Sequence, residues 1–296
     1  MTRITNPESI RQRLQNLQKK EYPNMPPNVM LLLYAQQGFL ARIDASGHGD
    51  QFVLKGALSL FSRYREASRP TQDIDLASRG FSNDPQTVAA ILREVCTTPF
   101  PDGLLFDPES IQVSPINEAF DYPGVNAQLR AGLGSSVVTL QIDFSFGNVI
   151  TPEAVQLAFP QLLLPEAVAV MAYPLETVVT EKFAALVEIG LATTRMKDLY
   201  DLQLILPRES FEAELMRQAL ERSFEARGTP QEAIPFTLSA EFAENAELNR
   251  RWQQYLRRTG FTAPALPEVM RLLRAFYEPL LLTSLSGDAW NGQEWH

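Results

Sequence analysis

The apolar periodicity of this chain turns from strand-like to helical at about Pro174, and that change constrains its fold more than any single motif. Between residues 104 and 147 the stretches "LLFD", "SIQVSPINE", "VNAQLRAGL" and "VVTLQIDFSF" are short, alternating or β-branched, and set apart by Pro and Gly. Successive side chains on a strand face opposite sides, so these runs read as strands. From about Pro174 the spacing becomes helical, predicting helices over 174–190, 195–206, 208–227, 239–259 and 266–284. Upstream, Asn6-Pro7-Glu8 is a helix start followed by Ile10, Leu14 and Leu17 on one face, and residues 29–43 form a second, more apolar helix. "QFVL" (51–54) and "DIDLAS" (73–78) are strands, 56–65 is helical, and Asp84-Pro85 opens a helix reaching about Cys96. The expectation is an α+β fold. An N-terminal domain, 1–172, carries a mixed or antiparallel sheet with helices, and a helical domain, 173–296, follows.

Composition narrows the chemistry. The net charge of −9 repels phosphates in general, which argues against a protein that coats nucleic acid, although a local basic groove stays open. The only histidines are His48 and His296, so neither a His-rich zinc centre nor a Ser-His-Asp triad is available. Any metal chemistry must then be carboxylate chemistry, which suits a hard ion such as Mg²⁺. One cysteine, Cys96, fits a reducing compartment. No apolar run reaches the roughly 18 to 20 residues of a membrane span, and the polar N-terminus lacks the apolar centre of a secretory signal. The expected location is the cytoplasm, with no membrane contact.

Five constellations could carry chemistry. Asp73 and Asp75 lie two apart on a strand, so both carboxylates face one side, about 6 to 7 Å apart, while Ile74 and Leu76 face the other. A divalent cation would relieve their repulsion; a solvated edge strand is the alternative. Lys55-Gly56-Ala57 follows "QFVL", where a Gly turn opening a helix offers free N–H groups and a positive dipole end to a triphosphate, with Lys55 or Ser59 nearby. A Gly needed merely for the turn explains it equally. Asp143 sits in a strongly apolar strand, where an acid needs a partner or a metal, or else marks a solvated strand end before Gly147. Lys182 interrupts the stripe Leu175, Val178, Ala185, Ile189, either snorkelling outward or reaching phosphate. In "TRMKDLYDLQLIL", Asp198 and Asp201 share a helical face and Lys197–Asp201 is an i,i+4 pair. These acids serve either as catalytic groups or as partners of the helix dipole.

The order of these motifs is more specific than any one of them. K-G-A-x-x-L, then R-x-T-x-D-I-D-L, I-D-F-x-F-G-N, E-x-x-x-x-E-K and R-x-K-D-L-Y-D-L together resemble the AbiEii/AbiGii toxin-type nucleotidyltransferases of the DNA-polymerase-β-like superfamily. That family includes abortive-infection toxins of phage defence and related toxins that modify tRNA. The resemblance covers roughly residues 50–206 and implies roles position by position. Lys55 and Gly56 would hold the NTP, and Arg69 and Thr71 would shape the approach to the metal strand. Asp73 and Asp75, with Asp143 as a third carboxylate, would bind Mg²⁺ or Mn²⁺. Lys182 would contact the triphosphate, Asp198 would be a further catalytic acid, and Asp201 its partner or a structural cap, so that the helical domain completes the active site. The family often has a second Gly where this chain has Ala57, and an acid where it has Asn148.

The resemblance implies NMP transfer from an NTP to an acceptor hydroxyl, such as a tRNA 3′ end, by a toxin with a cognate antitoxin partner. Two alternatives stand beside it: a non-catalytic partner-binding protein of the same fold, and nucleotidylation of a protein or small molecule. Arg250, Arg251, Arg257, Arg258, Arg271 and Arg274 would form either a basic face for RNA or a solvated helix surface balanced by Glu241, Glu244 and Glu247.

Overall fold

The computed structural model describes residues 5–23, 25–65, 68–116, 124–282, 285 and 288–296. Residues 117–118 of the "SIQVSPINE" run and 283–284 of the last expected helix lie outside the described residues. Backbone contacts divide the chain into two compact units, Met1–Asn148 with Ala154–Tyr173, and Val149–Glu153 with Pro174–His296.

The first unit is built on a seven-stranded sheet. Its strands are β1 (Phe52–Lys55), β2 (Asp73–Ser78), β3 (Leu105–Ile116), β4 (Gly124–Leu133), β5 (Ser136–Phe146), β6 (Val155–Phe159) and β7 (Val168–Ala172). Their order across the sheet is β3-β4-β5-β2-β1-β7-β6. The β2–β5 and β1–β7 pairs are parallel and the other four are antiparallel, so the sheet is mixed. β6 and β7 have no clear signal in the sequence: "VQLAF" and "VAVMA" are short runs with little alternation of polarity.

Alternation divides the sheet into two faces. Ile74, Leu76, Val125, Ala127, Leu129, Leu140, Ile142 and Phe144 are all buried in the core of this unit. Helices α1 (Pro7–Glu21), α2 (Pro27–Ala45), α3 (Gly56–Tyr64) and α4 (Pro85–Thr97) complete it. Asn6 caps α1 by accepting from the Glu8 and Ser9 amides, and Asp84 caps α4 by accepting from Thr87 N, each satisfying donors that the first helical turn cannot pair internally.

Helix α2 is buried over most of its length, and its one buried cation is fully partnered. Arg42 forms a two-pronged ion pair with Asp102, at 2.7 and 3.0 Å, with the side chains 4% and 2% exposed. It also donates to the Gly38 and Leu104 carbonyls, and its guanidinium lies 4.6 Å from the centre of the Phe106 ring. A Cβ at Gly38 would come within 2.6 Å of Asp102 Oδ2, so glycine lets this turn approach the helix. Burial pushes the Cys96 thiol up to about 12, which leaves it protonated and unreactive at neutral pH.

The second unit is helical: α5 (Leu175–Ile189), α6 (Met196–Ile205), α7 (Ala213–Arg227), α8 (Ile234–Thr237), α9 (Ala240–Glu244), α10 (Ala246–Thr259) and α11 (Leu266–Leu282). The expected helix over 239–259 is two helices, because Asn245 ends α9 and caps α10, accepting from Leu248 N at 3.0 Å. The expected start at 208 is also corrected. Phe211–Glu212 is a strand, β8, antiparallel to β9 (Ala289–Trp290), and the helix begins only at Ala213. Stacked Phe183 and Tyr277 rings, 3.9 Å apart, lie in the core of this unit with Phe276 and Trp290. The chain therefore has an α+β fold with a helical C-terminal region.

Candidate active site

In the first unit the sequence predicts a strand, a glycine turn and a helix, and the structure gives each a reason. β1 ends at Lys55, and Gly56 opens α3 with φ of +66°, a conformation that favours glycine. A Cβ on Gly56 would overlap the Asp75 carboxylate, so Gly56 is needed for space as well as for backbone geometry. The Asp75 side chain therefore lies against the first turn of α3.

Register lines up the rest of the site. Asp75 is opposite Lys55 on β1 and opposite Asp143 on β5, and Asp143 is opposite Asn126 on β4. Residues level with one another in adjacent strands share a face, so Lys55, Asp75, Asp143 and Asn126 form one row across four strands. Asp73, two residues from Asp75, belongs to the same face and is opposite Gln141. Two aspartates side by side on adjacent strands repel, and Lys55 and Asn126 flank them. Asn126 donates to Asp143 Oδ1 at 2.7 Å. Asp143 is thus inside β5, half-buried and level with Asp75. Among the described residues, no group of three His, Cys, Asp or Glu side chains is arranged as a metal-holding set.

The flanking motif residues have distinct positions. Thr71 Oγ1 donates to the Asp73 carbonyl at 3.2 Å and accepts from the Asp73 amide at 3.3 Å, a local turn that sets the start of β2. Arg69 is half-buried in the same loop. Ser59, expected near a triphosphate, is fully buried, and its hydroxyl donates to the Gly56 carbonyl within α3. Ala57 is buried as well.

The second unit holds the other motif. Lys182 on α5 donates to Asp198 Oδ1 and to Asp201 Oδ2 on α6, both at 2.7 Å. Its side chain is only 11% exposed, and that of Asp201 is fully buried. The lysine therefore does not snorkel outward. It is held between two carboxylates. Asp201 pairs with Lys182 in this cluster, while Lys197, its expected helical partner, is exposed. Arg195 also pairs with Asp198 through Nε. Burial alone would raise the Asp198 pKa, but the charges of Lys182 and Arg195 outweigh it and hold the carboxyl well below the usual carboxylate range. Three of the six C-terminal arginines are balanced locally: Arg250 and Arg251 pair with Glu247, and Arg274 with Glu278.

Sequence reasoning assigned no role to two members of these clusters. Asn126 was detectable as a polar residue in the alternation of "VNAQLRAGL", and Arg195 as the i,i+3 partner of Asp198. The partner of each depends on its neighbours in space, which neither pattern reveals.

The first unit thus sets level aspartates of a mixed sheet beside a glycine-opened helix. The sequence matches the nucleotidyl transferase AbiEii toxin family of type IV toxin–antitoxin systems over residues 38–276, and the chain belongs to that family. Among solved structures it is similar to a Helicobacter pylori protein described as a nucleotidyltransferase, with a TM-score of 0.47 and 14% identity over 86% of this chain and 99% of that one. It is also similar to JHP933 from Helicobacter pylori, with a TM-score of 0.45 and 14% identity over 83% of this chain and 93% of that one. No curated protein matches the chain. Among the described residues, no helix is long and apolar enough to cross a membrane.

Proposed function

We propose that this nucleotidyltransferase toxin moves a nucleoside monophosphate from an NTP to the 3′ hydroxyl of an RNA, with tRNA as the acceptor. The hydroxyl oxygen bonds to the α-phosphorus, the bond from that phosphorus to the bridging oxygen breaks, pyrophosphate leaves, and the hydroxyl proton passes to solvent. The observation that carries this reading is the row Lys55, Asp75, Asp143, with Asp73 on the same face and Gly56 opening α3 against Asp75.

The donor chemistry suits a hard divalent cation: Asp75 and Asp143 are level on adjacent strands, and a cation would relieve the repulsion between their carboxylates. Asp73, Asp75 and Asp143 would hold Mg²⁺ or Mn²⁺. When bound, the ion would lower the pKa of the attacking hydroxyl and offset charge on the α-phosphate. The first turn of α3 presents N–H groups with no partner inside the helix, and its positive dipole end favours phosphate, with Lys55 adding a full charge. On the family reading Lys182 and Asp198 are further functional groups, with Asp201 holding the lysine ammonium in place. The type IV family points to an antitoxin as protein partner.

Incubation with α-³²P-NTP and total tRNA tests the proposal. Label should enter RNA with the native chain and be lost with Asp73→Asn or Asp75→Asn, while circular dichroism stays unchanged. Undiminished transfer by the double variant overturns the aspartate roles. Label that resists ribonuclease and migrates with protein overturns the RNA acceptor.

A further inference from the structure

We propose that Gln36 is a positioning residue for the aspartate pair, its buried amide holding the loop that delivers Asp73 to the sheet. The inference rests on the reading of Asp73 and Asp75 as the metal-binding strand.

Helix α2 carries two adjacent glutamines in its buried part, Gln36 at 0% and Gln37 at 2% exposure. A buried amide is unfavourable unless its donors and acceptors are matched. Gln37 meets that requirement at both ends. Its Nε2 donates to the Pro160 carbonyl at 3.0 Å, and its Oε1 accepts from Leu162 N at 2.9 Å. Gln37 thus ties α2 to the loop after β6.

Gln36 does something different. Its Nε2 donates to the Gln72 carbonyl at 3.1 Å and reaches the Thr71 carbonyl at 3.4 Å. These are the two residues immediately before Asp73. Both partners are carbonyls, so the nitrogen must face the loop and the amide orientation is determined. Its Oε1 is then left buried without a hydrogen-bond partner among the described residues. Where Gln37 binds the loop after β6, Gln36 spends its donors on the loop that leads into Asp73.

The loop is consequently held twice at its last turn. Thr71 binds the Asp73 backbone locally, and Gln36 fixes the two preceding carbonyls from a helix 35 residues away in sequence. A rotation of the peptide at Gln72 would turn Asp73 away from the face it shares with Asp75, because side-chain direction on a strand follows the backbone.

The two glutamines provide their own control. In the full-length chain, Gln36→Met and Gln37→Met each keep side-chain length and remove the amide. Both should lower the thermal midpoint. Hydrogen exchange should quicken at residues 68–76 only in Q36M, and at 160–164 only in Q37M. Nucleotide transfer should fall by about tenfold to a hundredfold in Q36M, the scale expected for misplaced reacting groups, with Mn²⁺ titration showing weaker binding. In Q37M both should stay within about twofold of wild type. Transfer and Mn²⁺ binding in Q36M equal to those of Q37M, or unchanged exchange at 68–76, overturn the proposal. If Q36M does not fold, Gln36→Asn, too short to reach both carbonyls, replaces it, and wild-type transfer in that variant overturns the proposal as well. An Asp73→Asn arm separates the two readings. Transfer that survives in D73N defeats the aspartate assignment, whereas loss in D73N with full activity in Q36M defeats only the role of Gln36.

Discussion

Gly56 leaves the space that the Asp75 carboxylate occupies: a Cβ at position 56 would overlap it. The glycine of the turn and the aspartate of the neighbouring strand are therefore one feature. Gly56→Ala should be worse than a simple turn substitution, because it adds backbone strain at φ of +66° and displaces the carboxylate. A destabilisation of about 1–3 kcal/mol is expected from the backbone alone. Denaturant unfolding measures that part, and nucleotide transfer should be lost even at temperatures where the variant is fully folded.

Asn126 is level with Asp143 and bonded to it at 2.7 Å. Asn126→Ala should leave Asp143 with one hydrogen bond fewer, beside Asp75 and with its orientation loosened. Transfer should drop by about tenfold, equivalent to roughly 1.4 kcal/mol, with little change in the unfolding midpoint. Equal activity in N126A and wild type would count against a role for this contact.

Lys182 holds two buried carboxylates together. Removing one partner of a buried ion cluster leaves uncompensated charge, so Lys182→Met should destabilise the chain by about 3–5 kcal/mol. Adding Asp201→Asn to that variant should recover part of the loss, because Asp198 retains Arg195. Urea denaturation of the two single variants and the double variant completes the cycle.

The same cluster predicts a pH dependence. The folded-state pKa of Asp198 lies below the ordinary aspartate value of 3.8. A depressed carboxyl contributes stability that is fully present above its unfolded value and lost as pH falls through the folded one. The urea midpoint should therefore gain nothing from this group between about pH 5 and pH 7, and should decline below about pH 4. That decline should be shallower in Asp198→Asn.

Arg42 and Asp102 form the buried pair of the first unit. Asp102→Asn should cost about 3–5 kcal/mol, because the guanidinium stays buried between aromatic rings without its counter-charge. Differential scanning calorimetry checks this.

Local signals made a good part of this protein legible. The capping residues Asn6 and Asp84 mark helix starts, and "DIDL" puts two carboxylates on one face whatever the sheet around them, because strand alternation is a property of a few consecutive residues. Weak or balanced local signals leave an element unmarked. β6 and β7 lack clear alternation, and Asn245 breaks a pattern whose apolar spacing continues across it.

The sequence by itself determined the succession of a mixed-sheet part and a helical part, the shared face of Asp73 and Asp75, and the motif order by which the family is recognised. Only the tertiary structure decided that β5 runs parallel beside β2 with Asp143 level with Asp75. It alone placed Asn126 on that acid, Lys182 between Asp198 and Asp201, and Gln36 under the loop before Asp73. The reason is range. Side-chain direction follows from the two or four residues around a position, whereas the partner of a charged or amide group is set by which distant segments the sheet order and helix packing bring within about 3 Å of it.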